Sequence, residues 1–187
     1  MNRKETTLFL SHLLELDRLG GAGKYWAKEV TLDYGKTELT EEGIKSKTRR
    51  IDYLQFKPQN QLYIDGIEKG TFICYEVKSC KEDYLSGYGK NFIAEQNYLV
   101  MTISTYKDLM NLGEINKLAH NIGILVPIPK TKKYSDTRLT DEYDNPTPIT
   151  SVEDCYNWYL EVLRPSYKVG RTKSITELLF CMVRSGR

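Results

Sequence analysis

In the stretch Thr71–Ser79, TFICYEVKS, a glutamate and a lysine interrupt an apolar run. Side chains alternate along a strand, so Glu76 and Lys78 share one face, about 6.6 Å apart along the backbone. A carboxylate and an ammonium on an otherwise apolar strand are costly to bury without a reason. Phe72 and Cys74 precede them on the same face, which therefore passes from core to charge. The preceding strand, Arg50–Phe56, carries the same oddity: Asp52 stands between Ile51 and Tyr53. Side by side as a hairpin, the two strands bring Asp52 and Glu76 together near one end of a sheet. Two carboxylates at one point repel unless a cation sits between them. A hard divalent cation such as Mg²⁺ (or Mn²⁺) takes oxygen ligands and keeps several waters. Hydrolysis of a phosphodiester needs such an ion to activate water and to neutralise charge on the phosphorus oxygens. A nearby lysine can orient that water, assist its deprotonation, or stabilise the developing charge. The rival reading is a Glu–Lys pair on the solvated face of an antiparallel strand. Glu76-Val77-Lys78 is the only acid-x-Lys triplet in the chain, and it falls on the strongest strand.

The elements that must position these groups follow from periodicity. Residues 5–19 read as an amphipathic helix, with Leu10, Leu13, Leu14 and Leu16 near one stripe, stopped by Gly20, Gly21 and Gly23. Tyr25–Tyr34 alternates as a strand. A polar segment over 35–48 leads into Asp52 through Lys45, Lys47, Arg49 and Arg50. That basic run suits contacts to phosphates, and a solvated loop is its plain alternative. A helix is expected over 82–95, with a break near Gly87 and Gly89. A strand follows at 97–103, then a helix at 106–120 and a strand at 122–128. Residues 130–150 are polar, contain Pro146 and Pro148, and read as a linker. Two short helices come last. Thr150-x-x-Glu153 and Ser174-x-x-Glu177 supply their capping boxes. This order implies an α/β fold: a mixed sheet with helices packed on it. The expected division is a core at 1–135, a linker at 136–149 and a two-helix extension at 150–187.

Composition sets the remaining bounds. A chain of 187 residues with 40% hydrophobic and 28% charged residues is ordinary for one soluble domain. Its net charge is only +2, so any nucleic-acid contact must come from a local patch. Cys74, Cys80, Cys155 and Cys181 form no C-x-x-C pair, which argues against zinc; two of them lie in apolar helical patterns near the C-terminus and read as core thiols, which implies a reducing, cytoplasmic setting. The apolar run at the N-terminus is too short and too interrupted for a signal peptide or a membrane span.

At these residues the chain resembles the PD-(D/E)xK nuclease superfamily, and most of all its small bacterial and phage proteins grouped with the MmcB-type DNA-repair family. The similar stretch runs from Trp26 to Pro129. It holds KEVTLDYG, then RRID, then CYEVKSCKEDY, then a Lys-bearing helix into NYLVMTI, and last IGILVPIP. The resemblance implies a restriction-endonuclease-like mixed sheet flanked by helices, and a Mg²⁺-dependent (deoxyribo)nuclease. Asp52 and Glu76 would hold metal, Lys78 would assist the water, and Glu29 would add or orient a ligand. Lys90, expected on the helix after the triplet strand, would lie near the DNA backbone, and Asp83 has a counterpart in the family. Two features depart from the pattern: the insert from Lys36 to Lys47 is long for the family, and the chain beyond Lys130 matches none of it. The implied partner is nucleic acid, DNA above all, in repair, recombination or phage DNA metabolism. Two rivals belong to other classes. One is a catalytically inactive DNA-binding module of the same fold. The other is a phage or mobile-element interaction module, forming a homodimer or meeting a protein partner through its C-terminal helices. In that case Tyr156, Tyr159, Leu160 and Leu163 would form an exposed stripe.

Overall fold

The computed structural model describes residues 1–40, 43–131 and 149–185. The leucine-rich start forms α1 (Arg3–Leu14), which runs on through one π turn (Glu15–Leu19). Asn2 caps it by accepting from the Glu5 N–H, while the Glu5 carboxylate accepts from the Asn2 N–H. Then come β1 (Tyr25–Leu32), β2 (Thr37–Thr40), β3 (Gly43–Ser46), β4 (Arg49–Lys57) and α2 (Ile64–Glu68). β5 (Thr71–Lys78), α3 (Lys81–Leu85), β6 (Gln96–Met101), α4 (Ile103–Asn111), α5 (Glu114–Lys117) and β7 (Ile122–Pro129) follow. β8 (Trp158–Arg164) and α6 (Ile175–Ser185) close the described chain.

Six strands make one sheet in the order β1-β4-β5-β6-β7-β8. β5, β6 and β7 run parallel, and the other neighbours are antiparallel. β2 and β3 form a separate two-stranded ribbon, which is the structure of the long polar insert. α1 lies on one face, over Ile73, Tyr75, Val77, Val100, Leu125 and Leu160. On the other face α6 packs through Leu178, Cys181 and Met182 against Ala27, Val30, Leu54, Phe72 and Cys74. Further along that face α4 and α5 set Leu109 and Ile115 against Leu99, Ile124 and Val126. Central strands covered on both faces read as unbroken apolar runs. Every residue of β7 is buried, and so is every residue of β5 after Thr71. An acid and a base in β5 therefore sit inside a protein layer. The α/β expectation, a mixed sheet flanked by helices, agrees with this architecture. Among the described residues no helix is long and apolar enough to cross a membrane.

Three expected elements differ. The first of the two C-terminal helices is a short 3₁₀ turn (Glu153–Asn157) followed by β8, which pairs antiparallel with β7. WYLEVLR is rich in aromatic and aliphatic side chains, and it covers what would be the open edge of β7. Tyr156, Tyr159, Leu160 and Leu163 therefore form no exposed stripe. Leu160 is buried under α1, Tyr159 and Leu163 pack on the opposite face, and Tyr156 precedes the strand. The second helix is present as α6, where Ser174 accepts from the Glu177 N–H, and it packs on the same sheet. The expected linker, 136–149, lies outside the described residues except for Ile149. Secondly, the helix expected over 82–95 lasts one turn, α3. Gly87 and Gly89 then take φ of +77° and +61°, so Lys90 stands on no helix. Thirdly, the helix expected over 106–120 begins at Ile103, capped by Thr102, and Gly113 (φ +71°) breaks it into α4 and α5.

Candidate active site

β4 and β5 pair from Lys57–Thr71 up to Tyr53–Tyr75, and there the ladder ends. The next residue of β4 is Asp52. Its Oδ2 accepts the Val77 N–H at 2.8 Å, so a side chain takes the place of a backbone partner where the strands part. Glu76 and Lys78 follow on the face away from α1, the face of Phe72 and Cys74, as their spacing predicts. Glu76 is 0% exposed and Lys78 3%, so neither belongs to a solvated face. Glu76 Oε1 accepts the Asn91 N–H at 3.4 Å, and Oε2 is buried with no hydrogen-bond partner. Lys78 Nζ donates to the Tyr88 carbonyl at 2.8 Å. Asn91 Nδ2 donates to the Arg50 carbonyl at 2.7 Å and ties the loop over 87–91 to β4. Gly89 closes this loop on the charged pair. A Cβ there would stand 2.6 Å from Lys78 Nζ and 2.8 Å from Glu76 Oε2.

Burial pushes the Glu76 carboxyl up to about 8, and the neighbouring Asp52 carboxylate adds to the rise. Lys78 and the Asn91 N–H act in the other direction. Asp52 is raised as well, first by burial, against the pull of the Val77 N–H, Lys78 and Arg50. A buried and a half-buried carboxylate that resist ionising together are the setting in which a cation is favoured. The orphaned Oε2 of Glu76 is an oxygen that a cation would satisfy. Among the described residues no group of three or more His, Cys, Asp and Glu could hold a metal. Asp52 and Glu76 alone would be a donor set of two carboxylates. That suits Mg²⁺ or Mn²⁺, which one or two carboxylates hold with waters and substrate oxygens completing the shell. It does not suit a structural zinc.

A cleft of about 720 Å³ opens on Asp52 and Lys78. α1 contributes Arg3, Thr7 and Ser11 to its wall, and the chain entering β4 contributes Thr48, Arg49 and Arg50. Glu29 stands on its rim but does not join the acidic pair as a third member. Its Oε2 is 2.6 Å from Arg50 Nε. It also holds a φ of +54° between the paired positions Lys28–Tyr53 and Val30–Ile51, directly across from Asp52. Alternation slips there: Ala27 and Val30 face the same core, while Lys28 and Glu29 are both exposed. A left-handed backbone at a non-glycine residue stores roughly 1–3 kcal/mol.

The basic run divides. Arg49 and Arg50 line the cleft, whereas Lys45 on the ribbon and Lys47 just after it do not. Lys47 pairs with Glu38 at 3.0 Å. Arg49 pairs at 2.7 Å with Asp33, whose carboxylate Lys173 holds well below the usual range. Lys90 lies over the Tyr84 ring, 3.7 Å from its centre, and not in the cleft. Asp83 accepts from Arg3 at 2.9 Å and from the Ser79 N–H at 3.2 Å, clamping the end of β5 to the start of α1. Residue types did not reveal Asn91, Tyr88 or Gly89 as parts of the site. Asn91 and Tyr88 meet the charged pair through their backbone groups, and Gly89 through the absence of a side chain. The one available signal was two glycines just after the charged strand. No family model, curated protein or solved structure matches the chain.

Proposed function

We propose that this chain is a divalent-metal-dependent nuclease that hydrolyses phosphodiester bonds, in DNA first of all, on a restriction-endonuclease-like core. The observation that carries the reading is the orphaned, buried Oε2 of Glu76 beside Asp52, with Lys78 on the same strand face. Asp52 is oriented by the Val77 N–H and Lys78 by the Tyr88 carbonyl, so both functional groups are held before any substrate arrives. Asp52 and Glu76 hold the cation. Bound there, it supplies a Lewis acid for the phosphoryl oxygens and a water of lowered pKa. Lys78 lines the cleft as a buried residue, and there its ammonium orients the attacking water or stabilises charge on the phosphorus oxygens. Arg3, Lys28, Arg49 and Arg50 give the rim the positive charge that a polyanion needs to approach two carboxylates. The test is cleavage of supercoiled plasmid and end-labelled oligonucleotides in Mg²⁺, in Mn²⁺ and in EDTA. Metal-dependent cleavage abolished by EDTA is expected. Intact substrates in both metals would overturn the reading.

The loop gives a more local prediction. In Gly89→Ala the new methyl displaces Lys78 Nζ or Glu76 Oε2, and the left-handed backbone adds strain of roughly 1 kcal/mol. Misplacing a catalytic group by an ångström can lower the rate about 100-fold. The expected result is a loss of cleavage far larger than the small fall in melting temperature. Wild-type turnover in this variant would detach the loop from the reacting centre.

The cleft lining also narrows the cationic run to residues near Asp52. Each phosphate contact contributes about 0.9 to the slope of log K against log salt on duplex DNA. Replacing Lys28 and Arg50 by alanine together should lower that slope by about two, whereas alanine at Lys45 and Lys47 should leave it nearly unchanged. Fluorescence titrations in an Asp52→Asn background measure both. The opposite ranking would place the DNA on the ribbon and not on the cleft.

A further inference from the structure

A second charged region lies at the far end of the β4–β5 pair. Asp52 and Lys57 are five residues apart on one strand, about 17 Å. Around Lys57 two cavities, of about 310 Å³ and 530 Å³, share Lys57 and Gln96 as lining. Their walls carry Arg18, Lys24, Lys57, Lys69 and Lys168, against one carboxylate, Asp17. In a chain of net charge +2 this is a marked local excess. Asp17 is already engaged: it stands 3.0 Å from Arg18 Nε and accepts the Leu160 N–H at 3.2 Å. Lys69 pairs with Asp65 at 2.9 Å. Lys24 donates to the Arg18 carbonyl and Lys168 to Thr71 Oγ1. Among the described residues Lys24, Lys57 and Lys168 have no carboxylate partner.

Surface lysines alone would not make a site. The buried part is Gln55, 3% exposed on β4, which lines the smaller cavity. The Tyr75 hydroxyl donates to Gln55 Oε1 at 3.1 Å, and this fixes the amide with Nε2 as its unused end. No described group accepts from Nε2. Arg18 Nε, beside it in the cavity lining, is buried without a hydrogen bond, held to Asp17 by charge alone. A buried donor left unmade is costly, and Arg18 lines the same cavity as Gln55, whose amide Nε2 is unused, amid an excess of cations.

We propose that this end of the sheet binds a phosphate monoester or free phosphate, with Gln55 Nε2 and Lys57 as its donors and Lys24, Arg18 and Lys168 supplying the surrounding charge. A monocarboxylate would leave most of that charge unmatched. A phosphate dianion, carrying about −1.5 to −2 at neutral pH, matches it. The site is independent of the nuclease reading, since no residue lining these cavities lines the cleft.

Titration calorimetry with inorganic phosphate, adenosine monophosphate and acetate tests it. Phosphate and the monoester bind, and acetate is at least about tenfold weaker. A monoester more than tenfold tighter than phosphate assigns the site to a phosphorylated small molecule; equal affinities assign it to free phosphate. Lys57→Glu, a change at an exposed position, weakens binding at least about tenfold, since a charged hydrogen bond is lost and a repulsive charge gained. Gln55→Leu does the same at the buried wall, and Arg50→Ala, in the cleft, leaves binding unchanged. No heat with either phosphate ligand at ~10 mM would overturn the proposal. So would equal binding of acetate, indifference to Lys57→Glu, or loss of binding in Arg50→Ala.

Discussion

Asp52→Asn, Glu76→Gln and Lys78→Ala are each expected to lower metal-dependent cleavage by about 10²–10⁴-fold, the range measured for single electrostatic or proton-transfer groups. The fold should survive all three. Asp52→Asn still presents an oxygen to the Val77 N–H, so the parting of β4 and β5 keeps its bridge. Glu76→Gln keeps an oxygen for the Asn91 N–H and removes a buried acid whose ionisation the surroundings resist. Lys78→Ala is the harshest, because the Tyr88 carbonyl loses its donor, at about 1–3 kcal/mol. Circular dichroism and a thermal melt separate lost activity from lost structure. Wild-type rates in all three variants would remove the assignment. Activity kept by Lys78→Ala alone would leave the acidic pair in place and make the lysine a strut for the 87–91 loop.

The site was more legible than the loops around it, and the reason is burial on both faces of the sheet. Where an element is surrounded by protein, a charge within an apolar run is conspicuous, and period two assigns it a face. Glu76 and Lys78 were readable in that way, and Asp52 by the same logic one strand earlier. β8 was not readable as a strand, because a short apolar run is ambiguous until its neighbour is known. What decides it is the edge of β7, far away in sequence. Lys90 was misplaced for a related reason: the helical pattern over 82–95 is real in its apolar positions, but Gly87 and Gly89 adopt left-handed backbone that no helix accepts. Glu29 has the right residue type on the right strand. Its positive φ and its ion pair with Arg50 set it on the rim, and neither is visible before β1 and β4 are in register. The charges of Lys47 and Arg49 read as free in the sequence, whereas in the fold each has a carboxylate partner.

In buffer containing EDTA, Glu76→Gln is expected to be more stable than the parent chain at pH 9 and nearly equal to it at pH 5. The sign follows from proton counts. The unfolded glutamate loses its proton near 4.5, while the folded carboxyl holds its own to about 8. Between those values the native state binds more protons than the unfolded state, so stability falls as pH rises, and the loss is complete above 8. Each pH unit across that window costs about 1.36 kcal/mol, so the full effect is on the order of 5 kcal/mol. Asp52, raised in the same way, adds to the loss with the same sign. Asp33 works oppositely: its depressed carboxyl contributes stability that is lost only as pH falls through the acid range, which a scan from 5 to 9 avoids. The glutamine variant has no proton to lose, and its melting temperature should therefore fall less across that scan. Adding Mg²⁺ at pH 8 then narrows the gap. A cation that binds the native state stabilises the parent by about 2.7 kcal/mol at a hundredfold excess over Kd, most strongly at high pH where its ligands are deprotonated. Neither Glu76→Gln nor Asp52→Asn should respond. A pH-independent gap between parent and Glu76→Gln would mean that Glu76 ionises as freely in the fold as in water. Equal Mg²⁺ responses in parent and variants would place the cation elsewhere.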